Sequence, residues 1–218
     1  MPSVPIELGL EIVAACRRLY DRNCLAAADG NISVRLDDGS IVITPSGVAK
    51  AFMRPSEMAL MTLEGEILHG KPSTERLMHL EVYQKVPSAR CVVHAHPPTA
   101  VAWTLARPEW TELPSDSLPE VILATGRIPI ARYARPGTSA MGEVLGPLLA
   151  EHRLIILARH GALCWGVSLE EAVGGIERLE HASMMLKLAH DLGGAKPLSG
   201  LELEALRALR VAIGPRDL

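Results

Sequence analysis

The sequence predicts an α/β domain built on a largely antiparallel sheet, and three observations carry that prediction. Helix-type and strand-type segments interleave along the chain. Several strand pairs are joined by tight turns, which suit antiparallel neighbours, whereas parallel strands need long crossovers. The length of 218 residues fits one domain of ordinary size, and we read residues 1–218 as that single domain.

The elements follow in order. From Pro5 to Arg22 the apolar residues Ile6, Leu10, Val13, Cys16 or Leu19, and Tyr20 recur at helical spacing, an amphipathic first helix. Ala28-Asp29-Gly30-Asn31 has turn chemistry, Ile32–Leu36 alternates as a strand, and Asp37-Asp38-Gly39 turns the chain into Ile41–Thr44, a hairpin. Pro45-Ser46-Gly47 stops the second strand, and short extended pieces at Met58–Leu63 and Glu66–Leu68 flank Glu64-Gly65. Pro72-Ser73-Thr74 starts a helix running to Lys85, with Glu75 in its first turn and Pro87 closing it. Cys91–His96 reads as a buried strand stopped by Pro97-Pro98, and Thr99–Ala106 as a helix. The Pro-rich stretch Pro108–Glu120 reads as a loop, Ile128–Ala131 and Leu154–Leu157 as strands, and Ser139–Glu151 as the helix between them. The last third reads as helical. Ser168-x-x-Glu171 and Ser199-x-x-Glu202 match the capping box, and the final helix covers about 199–212.

Composition removes several function classes. A net charge of −3 leaves no surplus of Lys and Arg to neutralise a nucleic-acid backbone. The N-terminal residues have no basic flank, apolar run and small-residue cleavage site, and no apolar stretch approaches the length of a membrane span. Cys16, Cys24, Cys91 and Cys164 are scattered without CxxC spacing, which fits buried, reduced thiols and a cytoplasmic location. Apolar residues make up 48% and aromatics only 3%, so the core is expected to be aliphatic; Met184-Met185 falls in a helical apolar stripe expected to join it.

The chemistry rests on a few residues. On a strand, residues two apart share a face, so His94 and His96 can offer two imidazoles to one ion. His160 ends a second strand and is followed by Gly161, which permits close backbone approach. Three imidazoles with an open fourth position form a catalytic rather than a structural zinc arrangement; manganese or cobalt could take the same donors. Ser73, Thr74 and Glu75 at a helix start form an anion seat with a carboxylate beside it, and the turns at Ser46-Gly47 and Gly30-Asn31 add donors. His79, one turn after Glu75, reads as a residue behind the ligands or in the core more readily than as a ligand. His69, His152, His181 and His190 have no partner spacing and read as solvent-facing or structural.

Taken in order, Gly30-Asn31-Ile32-Ser33, Thr44-Pro45-Ser46-Gly47, Pro72-Ser73-Thr74-Glu75, His94-Ala95-His96 and Arg159-His160-Gly161 resemble the successive signatures of the class II aldolase/adducin family, over a core of about 6–192. The resemblance implies three layers with a central, mainly antiparallel sheet, and a homotetramer with active sites between subunits. It implies one zinc per subunit on His94, His96 and His160, with Glu75 as the acid/base group. Gly30, Asn31, Ser46, Gly47, Ser73 and Thr74 would hold the phosphate of a small phosphorylated sugar. The implied reaction is cleavage of a ketose 1-phosphate of the fuculose type to dihydroxyacetone phosphate and an aldehyde through an enediolate. A keto-acid sugar-phosphate decarboxylase is the alternative, because it passes through the same enediolate. Pentulose-phosphate 4-epimerases of the family carry Asp where this chain has Glu75, and the adducins, which keep the fold as a binding module, lack the complete metal site. The tyrosine that such aldolases take from a neighbouring subunit has no counterpart at Ser117–Val121, and no tyrosine follows Tyr133.

Overall fold

The computed structural model of the chain describes residues 4–214. An eight-stranded sheet has the order β4-β3-β2-β1-β5-β8-β7-β6. Its strands are β1 (Asn31–Arg35), β2 (Ile41–Ile43), β3 (Ala59–Met61), β4 (Ile67–His69), β5 (Cys91–Ala95), β6 (Ile130–Ala131), β7 (Leu154–Leu157) and β8 (Gly161–Gly166). Every pairing is antiparallel except β6 with β7.

Helices cover both faces. Strand alternation sends Ile32, Val42, Val93, Ala95, Ile156 and Cys164 to one face, where α1 (Ile6–Asp21), α3 (Pro98–Ala106) and α6 (Leu169–Asp191) pack. It sends Ile43, Val92, Ile155 and Leu163 to the other, against α2 (Arg76–Lys85) and α5 (Ala140–Leu145). The result is the three-layer α/β arrangement with an aliphatic core, and all four cysteines are buried and unpaired in disulfides. Among the described residues no helix is long and apolar enough to cross a membrane.

Six local expectations are corrected. Gly161–Gly166 forms β8, a buried central strand that begins and ends in glycine and has no β-branched residue, so it gives no strand signature. Pro119 opens a helix, α4 (Pro119–Ala124), inside the stretch read as loop, because proline suits the first helical position. α5 ends at Leu145 instead of Glu151, two residues before Pro147, which has no N–H to continue the helical hydrogen bonds. Glu75 is the residue before α2 rather than part of its first turn. His96 lies just past β5, its N–H donating to the Cys24 carbonyl at 2.8 Å. Met184 and Met185 are exposed, on the outer face of α6. The two capping boxes hold at their serines: Ser168 accepts from Glu171 N before α6, and Ser199 from Glu202 N before α7 (Gly200–Ile213).

Candidate metal centre

The pairing order carries the site. β5 lies between β1 and β8, with Asn31 opposite His94, and the turn between β7 and β8 brings His160 beside them. Arg159 turns that corner at a φ of 63°, with its N–H donating to Thr104 Oγ1 of α3 at 2.9 Å. Gly161 follows because nothing larger fits: a Cβ there would stand 2.5 Å from the Ala95 carbonyl oxygen and 2.8 Å from the His96 ring. Gly30, at φ 69°, is fixed likewise by Leu25 and the His94 carbonyl.

The ring centroids of His94, His96 and His160 lie 4.8–5.0 Å apart, and one potential ligand nitrogen from each falls within 4.8 Å of the others. His94 Nδ1 donates to the Ala162 carbonyl at 2.9 Å, which leaves the Nε2 lone pair facing His96 Nε2 at 3.0 Å. Glu75 closes the cluster, with Oε2 3.3 Å from His94 Nε2 and Oε1 3.2 Å from His160 Nε2. Burial beside the His94 and His160 rings pushes His96 down to about 3 and keeps its lone pair available. Three converging imidazole nitrogens, with one ring held through its other nitrogen by a carbonyl, suit a divalent cation.

Glu75 is held from behind as well. Burial raises its carboxyl, but the polar contacts with His160, His94 and Asn31 outweigh that and hold it well below the carboxylate range. Asn31 Nδ2 donates to Glu75 Oε2 at 2.9 Å, and Asn31 Oδ1 accepts from His79 Nε2 at 2.5 Å. His79 Nδ1 then accepts from Ser33 Oγ at 2.7 Å, which lies 2.8 Å from Tyr83 Oη. Donors point one way along this chain, from Tyr83 to Glu75. His79 is fully buried, pushed by desolvation to about 3 and hence neutral, and it is a link behind the carboxylate rather than a ligand.

The metal-facing residues open into a cavity of about 390 Å³. Its lining includes Gly30, Asn31, Ser46, Gly47, Ser73, Thr74 and Glu75 with His96 and His160, so every candidate from the sequence meets there except the fully buried His94, which stands behind the wall. Ser73 Oγ accepts from Glu75 N at 3.2 Å and so fixes the residue that carries the carboxylate. Gly47, at φ 74°, has open space where a side chain would be. Five lining residues were not anticipated, among them Ala28 and Asp29 of the turn before β1. Pro136 and Gly137 come from the loop after β6, and Lys50 comes from a 3-10 turn whose lysine resembles any surface lysine in sequence.

The fold and this site define a class: the chain belongs to the class II aldolase/adducin family, whose model, described as the Class II Aldolase and Adducin N-terminal domain, matches residues 10–186. It is a sugar-phosphate lyase of that family with a three-histidine metal site. It is similar over its length to the 3-oxo-tetronate 4-phosphate decarboxylase of Cupriavidus necator, at 33% identity covering 98% of this chain and 99% of the relative. The L-fuculose phosphate aldolase of Methanococcus maripaludis is 31% identical over 84% of this chain and 97% of its own. Among solved structures, YgbL of Escherichia coli superposes with a TM-score of 0.87 at 28% identity, covering 92% of this chain and 98% of that one.

Proposed function

We propose that this chain decarboxylates a keto-acid sugar phosphate of the 3-oxo-tetronate 4-phosphate type, releasing carbon dioxide and dihydroxyacetone phosphate. The observation that carries the reading is the end-to-end correspondence with the Cupriavidus necator decarboxylase. Chemistry adds support. A 3-oxo carboxylate already lacks its proton, so breaking the bond to carbon dioxide needs no base at a hydroxyl and no proton management at a departing aldehyde. The absence of a tyrosine at Ser117–Val121 is then no defect.

In this reading His94, His96 and His160 hold one divalent ion per subunit, zinc by preference, which supplies Lewis-acid polarisation and stabilises negative charge on substrate oxygens. The bond between the carboxyl carbon and C2 breaks, and its electron pair stays on C2 as an enediolate shared with C3. Glu75 gives C2 a proton and regains one from solvent. Glu75, held by Asn31 Nδ2 at 2.9 Å and lining the cavity beside the histidines, is the group placed to carry that proton. Asn31, Ser46, Ser73 and Thr74, with the backbone of Gly30 and Gly47, hold the phosphate. We take the working form to be a cytoplasmic homotetramer, as the family resemblance implies.

Aldol cleavage of a ketose 1-phosphate is the second reading, favoured by the Methanococcus maripaludis relative and needing the same ion and carboxylate. Carbon dioxide and dihydroxyacetone phosphate are to be measured from 3-oxo-tetronate 4-phosphate and from fuculose, rhamnulose and ribulose 1-phosphates. We expect both products from the keto acid alone, loss on chelation, and a fall of about 10²- to 10⁴-fold in Glu75→Gln. Dihydroxyacetone phosphate from a ketose 1-phosphate, with no carbon dioxide from the keto acid, would replace decarboxylation with aldol cleavage.

A further inference from the structure

Lys50 is 2% exposed, and its ammonium donates to two backbone carbonyls, Ala28 O at 2.8 Å and Val48 O at 2.7 Å. Neither partner carries charge. Of the three acidic groups near enough to act on it, the Cys16 thiol is pushed up to about 12 by burial, and Asp29 and Glu75 are turned toward histidines: Asp29 lies 3.9 Å from His96, and Glu75 contacts His94 and His160. Among the described residues Lys50 forms no ion pair, and an ammonium has three donors of which these carbonyls take two. Burial holds its pKa below the ordinary lysine value. A buried cation without a counter-ion is destabilising, so such a group is kept where something else brings the opposite charge.

The position of Lys50 says what that is. It lines the same cavity as Asn31, Ser46, Gly47 and Thr74, whose donors are all neutral. We infer that Lys50 is the cationic contact for the substrate's phosphate dianion, a specificity residue at the end of the cavity that takes the phosphate. The inference rests on the sugar-phosphate reading. A phosphate fits this wall better than the substrate's carboxylate does. A cation on the carboxylate would stabilise the ground state of the bond that has to break, whereas a cation on the phosphate binds substrate and transition state alike.

Lys50→Met removes the charge and the donors; Lys50→Gln removes the charge and keeps a donor for the Ala28 or Val48 carbonyl. Metal-loaded native protein and both variants are to be melted in anion-free buffer, with inorganic phosphate, and with acetate at matched ionic strength. Phosphate affinity and substrate KM and kcat complete the set. We expect phosphate to raise the native Tm more than that of either variant. Phosphate affinity should be about ten- to hundredfold weaker in both variants, with KM raised and kcat nearly unchanged. If phosphate stabilises all three proteins equally, or if Lys50→Gln alone restores native behaviour, Lys50 is a backbone tie and the inference fails. It also fails if acetate gives a Lys50-dependent shift as large as that from phosphate. A Lys50-dependent phosphate shift in a protein that turns over no sugar phosphate sustains the inference and overturns the reaction.

Discussion

Glu75, His79 and Tyr83 recur every four residues, so they form one stripe on α2 and its leading turn, facing the polar positions Asn31 and Ser33 of β1. The network they build is buried and nearly all its groups are satisfied, which lets it fix the carboxylate without competing water. His79 gives it a pH signature. Its pKa falls from 6.5 unfolded to about 3 folded, so stability is fully present above 6.5 and is lost as pH drops toward 3, because the unfolded chain takes a proton the folded one refuses. Glu75, depressed below 4.5, adds a second loss at lower pH with the same sign. His79→Gln keeps the donor to Asn31 but loses the acceptor for Ser33, at a cost of about 1–3 kcal/mol. Urea unfolding between about pH 7.5 and about pH 5, with chelator present, should show a native slope that is reduced in the variant, where the His96 share remains. Equal slopes in the two proteins would remove His79 as the titrating group. The Glu75–His79 spacing is plain in the sequence. That His79 points away from the ion depends on Ser33 and Asn31 lying opposite it.

α3 starts directly after His96-Pro97 and has no cap of its own. Its free N–H groups are met from another element: Glu180 of α6, 8% exposed, accepts from Thr99 N at 2.9 Å, Thr99 Oγ1 at 2.6 Å and Ala100 N at 3.2 Å. A carboxylate there also complements the positive end of the helix. α3 in turn holds the His160 corner through Thr104. Glu180→Ala should cost about 2–4 kcal/mol in urea unfolding. It should also weaken metal affinity about tenfold or more in competition with a chelating dye, since the helix sets both histidine-bearing corners. Lost stability with native metal affinity would mean that α3 does not position them. Elements with local punctuation were readable in the sequence: the β1–β2 hairpin from Asp37-Asp38-Gly39 and α6 from its capping serine. β8 was not, because Gly161–Gly166 has no β-branched residue, whereas β5 and β7, just as buried, carry Val and Ile.

At the scale of the molecule, apolar side chains remain outside the core. Met184, Met185 and Leu188 on α6 and Leu201, Leu209 and Val211 on α7 are all exposed in the single chain. Such faces suit contacts between subunits, and we expect sedimentation to give four times the chain mass of 23.5 kDa. A monomer that retains full turnover would dismiss the tetramer.

The sequence by itself determined the candidate groups and their chain order: three histidines, one glutamate, and turns rich in glycine and hydroxyls. It also determined that helices and antiparallel strands would carry them, because periodicity and turn chemistry are local properties of the chain. Only the tertiary structure decided that Asn31, Glu75, His94, His96 and His160 converge. That depends on β5 lying between β1 and β8, a pairing between segments far apart in sequence. The same holds for Lys50. Its identity is one letter, but its burial beside the cavity follows from how α1 and the Ala28 and Ser46 turns pack around it, and burial is what turns an ordinary lysine into an anion contact.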